Sequence, residues 1–251
     1  MRYIGSKTAS LPNITKAIRR SGVALKSLCD PFAGACTVSR HFKAMGWRIA
    51  TGDLLAQSYA LQVAYVELNL PPTFAGLILP PQDADKSTAA PHQRVLFHLD
   101  ALPGNPGFVT REYSLAGESR RLCFTTENAR RIDRIRDAIE EWDLAGAITA
   151  GEKCYLLACL IEASDKVANT AGTYYAYLKK LYRKAKQRLH LRAIPMTDNH
   201  QRNGANQMDA LRLVERTEAD LFYLDPPYNG RNYGAYYCSS DVSRRSRGSG
   251  G

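Results

Sequence analysis

Residues Asp220-Leu-Phe-Tyr-Leu-Asp225-Pro-Pro-Tyr228 constrain this chain more than any other stretch. The large apolar side chains from Leu221 to Leu224 predict a buried strand with a carboxylate at its carboxyl end. Pro226 and Pro227 stop that strand, because neither donates a ladder hydrogen bond and both fix φ. Open α/β sheets bind ligands at this edge, so Asp225 and the carbonyls beside it become acceptors held at a strand tip. Tyr228 follows as a stacking ring. Rigid acceptors beside an aromatic plate suit a planar substrate that carries an amino group. The same residues also make an ordinary turn, and the rest of the chain has to decide.

Other strand tips repeat the pattern. Val23 to Cys29 predicts a short strand running into Asp30-Pro-Phe-Ala-Gly-Ala-Cys-Thr-Val-Ser39, with a tight turn and then a helix from about Thr37 to Met45. Gly34 permits a bend that a Cβ would obstruct. Trp47 to Asp53 predicts a second strand that also ends on a carboxylate. An acid about twenty positions past a glycine turn can take both hydroxyls of a ribose. The dinucleotide pattern Gly-x-Gly-x-x-Gly is absent, so a nucleoside cofactor fits better. Asp209 is a further acid at a strand or turn tip, ahead of a short helix. At the start, Tyr3-Ile-Gly-Ser-Lys7 precedes a helix that Ser10 can cap and Pro12 can open, with Ile14 and Ile18 on its apolar face. A Gly-Ser-Lys turn at a helix mouth can hold a carboxylate or phosphate, or be a plain terminus.

Residues 57–188 read as a different unit. Prolines from Pro71 to Pro106 predict loops with short elements over 71–107. Thr126 to Trp142 predicts a helix whose buried stripe is Ala129, Ile132, Ile135 and Ile139. Thr149 to Val167 predicts a second helix, opened by a Thr149/Glu152 capping box. From Asn169 to Arg188, aromatic residues alternate with lysines and arginines. Such a surface stacks on bases and neutralises phosphates; the same composition also suits an amphipathic helix with solvated lysines. Leu189 to Pro195 returns to strand-like alternation, and the Ser/Arg/Gly-rich residues 238–251 predict a disordered tail.

A net charge of +10, from 34 Lys and Arg against 24 Asp and Glu, favours a polyanionic partner. Six cysteines form no Cys-x-x-Cys pair, so no metal is expected, and Cys154 and Cys159 read as core thiols. No apolar run approaches the ~20 residues of a membrane span. A cytoplasmic monomer without membrane contact is expected.

The ordered set Tyr3 to Lys7, Asp30-x-Phe-x-Gly34, Gly52-Asp53, Asp209-Ala210 and Asp225-Pro-Pro-Tyr228 resembles the Dam-like DNA adenine methyltransferases over most of residues 1–237. These enzymes move a methyl group from S-adenosylmethionine to the exocyclic amine of adenine in double-stranded DNA. The resemblance implies an α/β, Rossmann-like methyltransferase sheet with an inserted, mainly helical target-recognition unit. Residues 1–56 and 189–237 would form the methyltransferase domain, and 57–188 would read DNA. Tyr3, Lys7, Asp30, Phe32, Gly34, Asp53, Asp209 and Asp225 would line the cofactor. Asp225, Pro226, Pro227 and Tyr228 would hold the flipped base. Asn169, Tyr174, Tyr175, Lys179, Lys180 and Arg183 would touch DNA.

Two departures stand out. Cys36 occupies the position of the family's second glycine, where a thiol is expected to crowd the methionine part of the cofactor. The likeness fades near Tyr237, before the strands that would complete the sheet, so a truncated chain is expected. Methylation of cytosine N4 or RNA, and a DNA-binding remnant without catalysis, are the alternatives.

Overall fold

The computed structural model describes residues 7–20, 22–80, 89–118, 120–170 and 178–226. Tyr3, Tyr174, Tyr175, Pro227, Tyr228 and the expected tail lie outside the described residues. The chain divides into two compact units. Among the described residues, one holds those up to Pro71 together with Ile194 to Pro226, and the other runs from Pro72 to Ala193. Residues 57–71, expected with the inserted unit, therefore pack with the sheet.

The sheet-bearing unit opens with α1 (Leu11–Arg20), β1 (Ser27–Asp30), α2 (Thr37–Ala44), β2 (Arg48–Asp53) and α3 (Ala56–Gln62). It resumes with β3 (Gly204–Gln207), α8 (Ala210–Arg216) and β4 (Leu221–Phe222). Between them the second unit contributes α4 (Pro91–Ala101), α5 (Phe108–Tyr113), α6 (Thr126–Leu144) and α7 (Ala150–Val167). All strand pairs are parallel, in the order β3-β2-β1-β4. This bears out the α/β, Rossmann-like expectation.

β1 is buried at every position because α2 covers it, with Leu28, Cys29, Phe42 and Ile49 in the core. Each such side chain contributes about 1.5–3 kcal/mol by leaving water. Gly52 in β2 has a packing reason: a Cβ there would meet Leu213 Cδ2 of α8 at 2.5 Å. Glycine thus lets α8 lie on the strand.

The strand expected to be central is shorter and less covered than its composition predicts. β4 has two residues, both half-buried, and Leu224 is 62% exposed. Among the described residues β4 pairs on one side only, with β1. Asp220 sets that register. Its Oδ2 accepts the Lys26 and Ser27 amides at 2.8 and 2.9 Å and the Ser27 hydroxyl at 2.8 Å. These bonds hold its carboxyl below the usual carboxylate range.

In the second unit, Ala129, Ile132, Ile135 and Ile139 form the buried stripe of α6 as expected. The Thr149/Glu152 capping box opens α7. Glu152 also accepts the Phe74 amide at 2.6 Å, which ties the proline-rich stretch to this helix. Leu189 and Leu191 are buried while His190 is exposed, so the expected alternation is present. The segment joins no sheet, however. The Asn128 and Asp100 side chains accept its Leu189 and Leu191 amides, taking the place of a neighbouring strand. No described helix is long and apolar enough to cross a membrane.

Candidate active site at the carboxyl edge of the sheet

Parallel pairing sends the carboxyl ends of the strands to one edge, and the strand order reverses between β1 and β4. Sheets of this kind bind ligands in the crevice at such a reversal. Asp30 ends β1, Asp53 ends β2, Asp209 follows β3 and Asp225 follows β4.

Asp30 is 2% exposed, and its Oδ2 accepts the Ser39 hydroxyl of α2 at 2.6 Å. Its Oδ1 is buried with no partner among the described residues. Burial pushes this carboxyl up to about 7; the Ser39 hydroxyl restrains the rise, and the Asp53 and Asp225 charges add to it. A buried acceptor of this kind is costly unless a donor meets it.

The glycine turn lies between β1 and α2. Gly34 has φ 51°, its amide donates to Asp53 Oδ2 at 3.1 Å, and its carbonyl accepts the Ser58 hydroxyl at 2.6 Å. Asp53 Oδ1 accepts the Leu55 amide at 2.9 Å. Burial raises the Asp53 carboxyl above its ordinary value, while these amides pull it down. Asp53 thus shapes the turn, and each of its oxygens retains a lone pair for a ligand.

Asp225 pairs with Lys7 Nζ at 3.0 Å, both side chains being about one-quarter exposed (27% and 23%). Lys7, expected beside the cofactor, is therefore joined to the acid expected to hold the base. Asp209 is exposed and caps α8, its Oδ1 accepting the Leu211 and Arg212 amides at 3.0 and 3.4 Å. Ser39, Ser58 and Asp220 were not legible as partners, because single hydroxyls and acids carry no spacing signal of their own.

A model of the D12 class N6 adenine-specific DNA methyltransferase family matches residues 3–246. The chain belongs to this family. Modification methylase StsI of Streptococcus sanguinis is 34% identical over 246 residues, covering 97% of this chain and 36% of that protein. Type II methyltransferase M.FokI of Planomicrobium okeanokoites is 36% identical, covering 94% and 36%. Type II methyltransferase M.NlaIII of Neisseria lactamica is 37% identical, covering 94% and 67%. The chain thus spans about a third of the length of the first two. No solved structure matches it significantly.

Cys36, expected to stand where the family has a second glycine, has an unusual backbone. It holds φ 58° and ψ 27°, the left-handed conformation that a glycine adopts freely. A side chain there costs about 1–2 kcal/mol. The thiol is fully buried, with Sγ 4.0 Å from the Gly34 carbonyl oxygen, and burial raises it well above the ordinary thiol value. It is protonated and inert near neutral pH.

Of the residues expected to touch DNA, Asn169 is fully buried. Its Nδ2 donates to the Leu122, Leu178 and Lys180 carbonyls at 2.9, 2.9 and 3.1 Å, and its Oδ1 accepts the Tyr182 amide at 3.1 Å. Burial removes it from direct contact and makes it a bracket for the chain that carries Lys179, Lys180 and Arg183. Those three are exposed. Residues 178–182 are irregular and only Arg183–Lys186 makes a helical turn, so an amphipathic helix is not formed over this part.

Proposed function

We propose that the chain transfers a methyl group from S-adenosylmethionine to the N6 amine of adenine in DNA, as a modification methyltransferase. The Lys7–Asp225 pair carries this reading: a carboxylate is held at the β1/β4 reversal, on the edge where Asp30 and Asp53 also lie. The crevice suits the cofactor in its donors and acceptors. Asp30 Oδ1 is a buried acceptor in want of a donor, and Asp53 offers two oxygens of the kind that take ribose hydroxyls.

When bound, the cofactor would supply a methyl group on a sulfonium, the nitrogen–carbon bond forming as the sulfur–carbon bond breaks and the electron pair staying on sulfur. The chain's own part concerns the amine, whose lone pair is delocalised into the adenine ring. Asp225 accepts one amine hydrogen and the Pro226 carbonyl accepts the other, which localises the lone pair toward the methyl group. The methylated amine would then pass a proton to water by way of the Asp225 carboxylate. Lys7 holds the Asp225 carboxylate in position before the base arrives. Tyr228 stacks on the base, which must leave the duplex to reach the site; such stacking is worth about 1–3 kcal/mol. Phe32 and Asp209 would help hold the cofactor at this edge, and the resemblance assigns Tyr3 to the same role.

The second unit reads the duplex through Lys179, Lys180 and Arg183, with Tyr174 and Tyr175 in the same segment and Asn169 as its positioning residue. Asp225→Ala tests the site. Single-turnover transfer should fall by at least 100-fold while cofactor and duplex affinities stay within a few-fold, because the lost acceptor acts mainly as the amine rehybridises, a barrier effect of about 3 kcal/mol. Transfer within a few-fold of the parent's rate would remove Asp225 from the chemistry.

A further inference from the structure

We propose that a cavity at the start of α6 binds a phosphate diester of the DNA backbone, an inference that rests on the reading of this chain as a DNA methyltransferase. The cavity measures about 500 Å³, and its walls include Gly104, Thr126, Glu127, Arg130, Arg131 and Arg188. Thr126 and Glu127 are the first residues of a 19-residue helix. Their amides have no partner among the described residues, since the Thr125 cap accepts the Asn128 amide. The helix therefore presents donors and a partial positive charge at this wall.

An independent observation lies deeper. Arg131 is 6% exposed, yet its Nε has no partner among the described residues. Its Nη2 is occupied, donating to the Asp100 carbonyl at 2.8 Å, to Asp100 Oδ1 at 3.0 Å and to the Leu189 carbonyl at 3.2 Å. A buried guanidinium with an unmet N–H is a strong donor waiting for an acceptor. Burial, and after it the charge of Arg188, holds this guanidinium below its ordinary value, although Asp100 and Glu127 pull it back up.

Two more guanidiniums stand at the rim. Arg130 is exposed and pairs with no carboxylate among the described residues. Arg188 is exposed and, among the described residues, donates only to the Asp100 carbonyl, at 3.2 Å. Asp100 does not neutralise the cavity further: its carboxylate also receives His190 at 2.9 Å and the Leu191 amide at 3.1 Å. Glu127 is the one carboxylate on the wall, and it opposes an anion. With Arg131 paired to Asp100, the Arg130 and Arg188 guanidiniums and the helix amides outweigh it. A diester fits better than a carboxylate, because its oxygens can meet the helix amides and a guanidinium fork together.

Duplex binding followed by fluorescence anisotropy across a series of KCl concentrations tests this site. Arg130→Ala/Arg188→Ala should flatten the plot of log affinity against log salt by about 0.9 or more, the effect of losing at least one phosphate contact. Arg130→Lys/Arg188→Lys should keep the parent slope, and Glu127→Gln should tighten binding several-fold at low salt. An unchanged slope in the double alanine variant, with parent-like binding of S-adenosylmethionine and parent-like melting, would overturn the inference alone. A parent that fails to bind duplex DNA at low salt would overturn both the inference and the methyltransferase reading.

Discussion

Asp30 makes the sheet unit's stability depend on pH in an unusual direction. Its folded-state value is about 7 against an ordinary 3.8. Folding therefore favours the protonated form, and stability is lost as pH rises through this window. Below 3.8 the group is neutral in both states, and above 7 it is ionised in both, so the full cost is present there. At about 1.36 kcal/mol per pH unit the gap amounts to about 4 kcal/mol, of which about 3 kcal/mol falls between pH 5 and pH 8. Asp30→Asn keeps an acceptor for Ser39 and removes the titration. Urea melts of both proteins at several pH values test this, in a Trp142→Phe background. Trp47 is then the sole tryptophan, and it packs against Phe42 of the sheet unit at 4.8 Å between ring centroids. Relative to the parent, the Asn variant should gain about 3 kcal/mol between pH 5 and pH 8. A stability difference independent of pH would refute the buried, raised carboxyl.

Further outcomes follow from single contacts. Asp209→Ala removes the cap of α8 and should cost about 1 kcal/mol in a chemical melt. Cys36→Gly exchanges left-handed strain for a lost buried thiol and added chain entropy, so its stability should stay within about 1 kcal/mol of the parent. Cys36→Val puts a β-branched side chain at φ 58° and should lose more than about 2 kcal/mol. Asn169→Ala strips a buried bracket of its bonds and should cost about 3 kcal/mol, with faster proteolysis between residues 178 and 182.

What could be read from the sequence was what repeats or alternates. β1 and β2 are apolar runs ending in acids, and α6 and α7 carry helical periodicity and a capping box, so each was found close to its observed position. β3 was missed because Gly204-Ala-Asn-Gln207 is short and polar. It is held by pairing with β2 and by the Asn206 side chain on the Thr51 carbonyl, a long-range bond with no local trace. β4 was read as a buried strand from its apolar composition and, from the likeness fading near Tyr237, as one with an unpaired edge; its half-buried residues and its single neighbour among the described residues fit the second expectation. Asp30, Asp53 and Asp225 were identified individually, as acids at strand tips. Their shared edge follows from strand order, and the Lys7–Asp225 pair joins residues too far apart in sequence for spacing to signal. Asn169 was placed with DNA because of its basic, aromatic neighbours, whereas its burial follows from carbonyls contributed by separate segments.

The central claim is that this site methylates the exocyclic amine of adenine in DNA. Its most direct test is incubation of the full chain with unmethylated duplex DNA and S-adenosylmethionine labelled in the methyl group, followed by digestion to nucleosides. The label is expected in N6-methyladenine. Label in N4-methylcytosine, transfer to RNA in preference to DNA, or duplex binding with no transfer would contradict it.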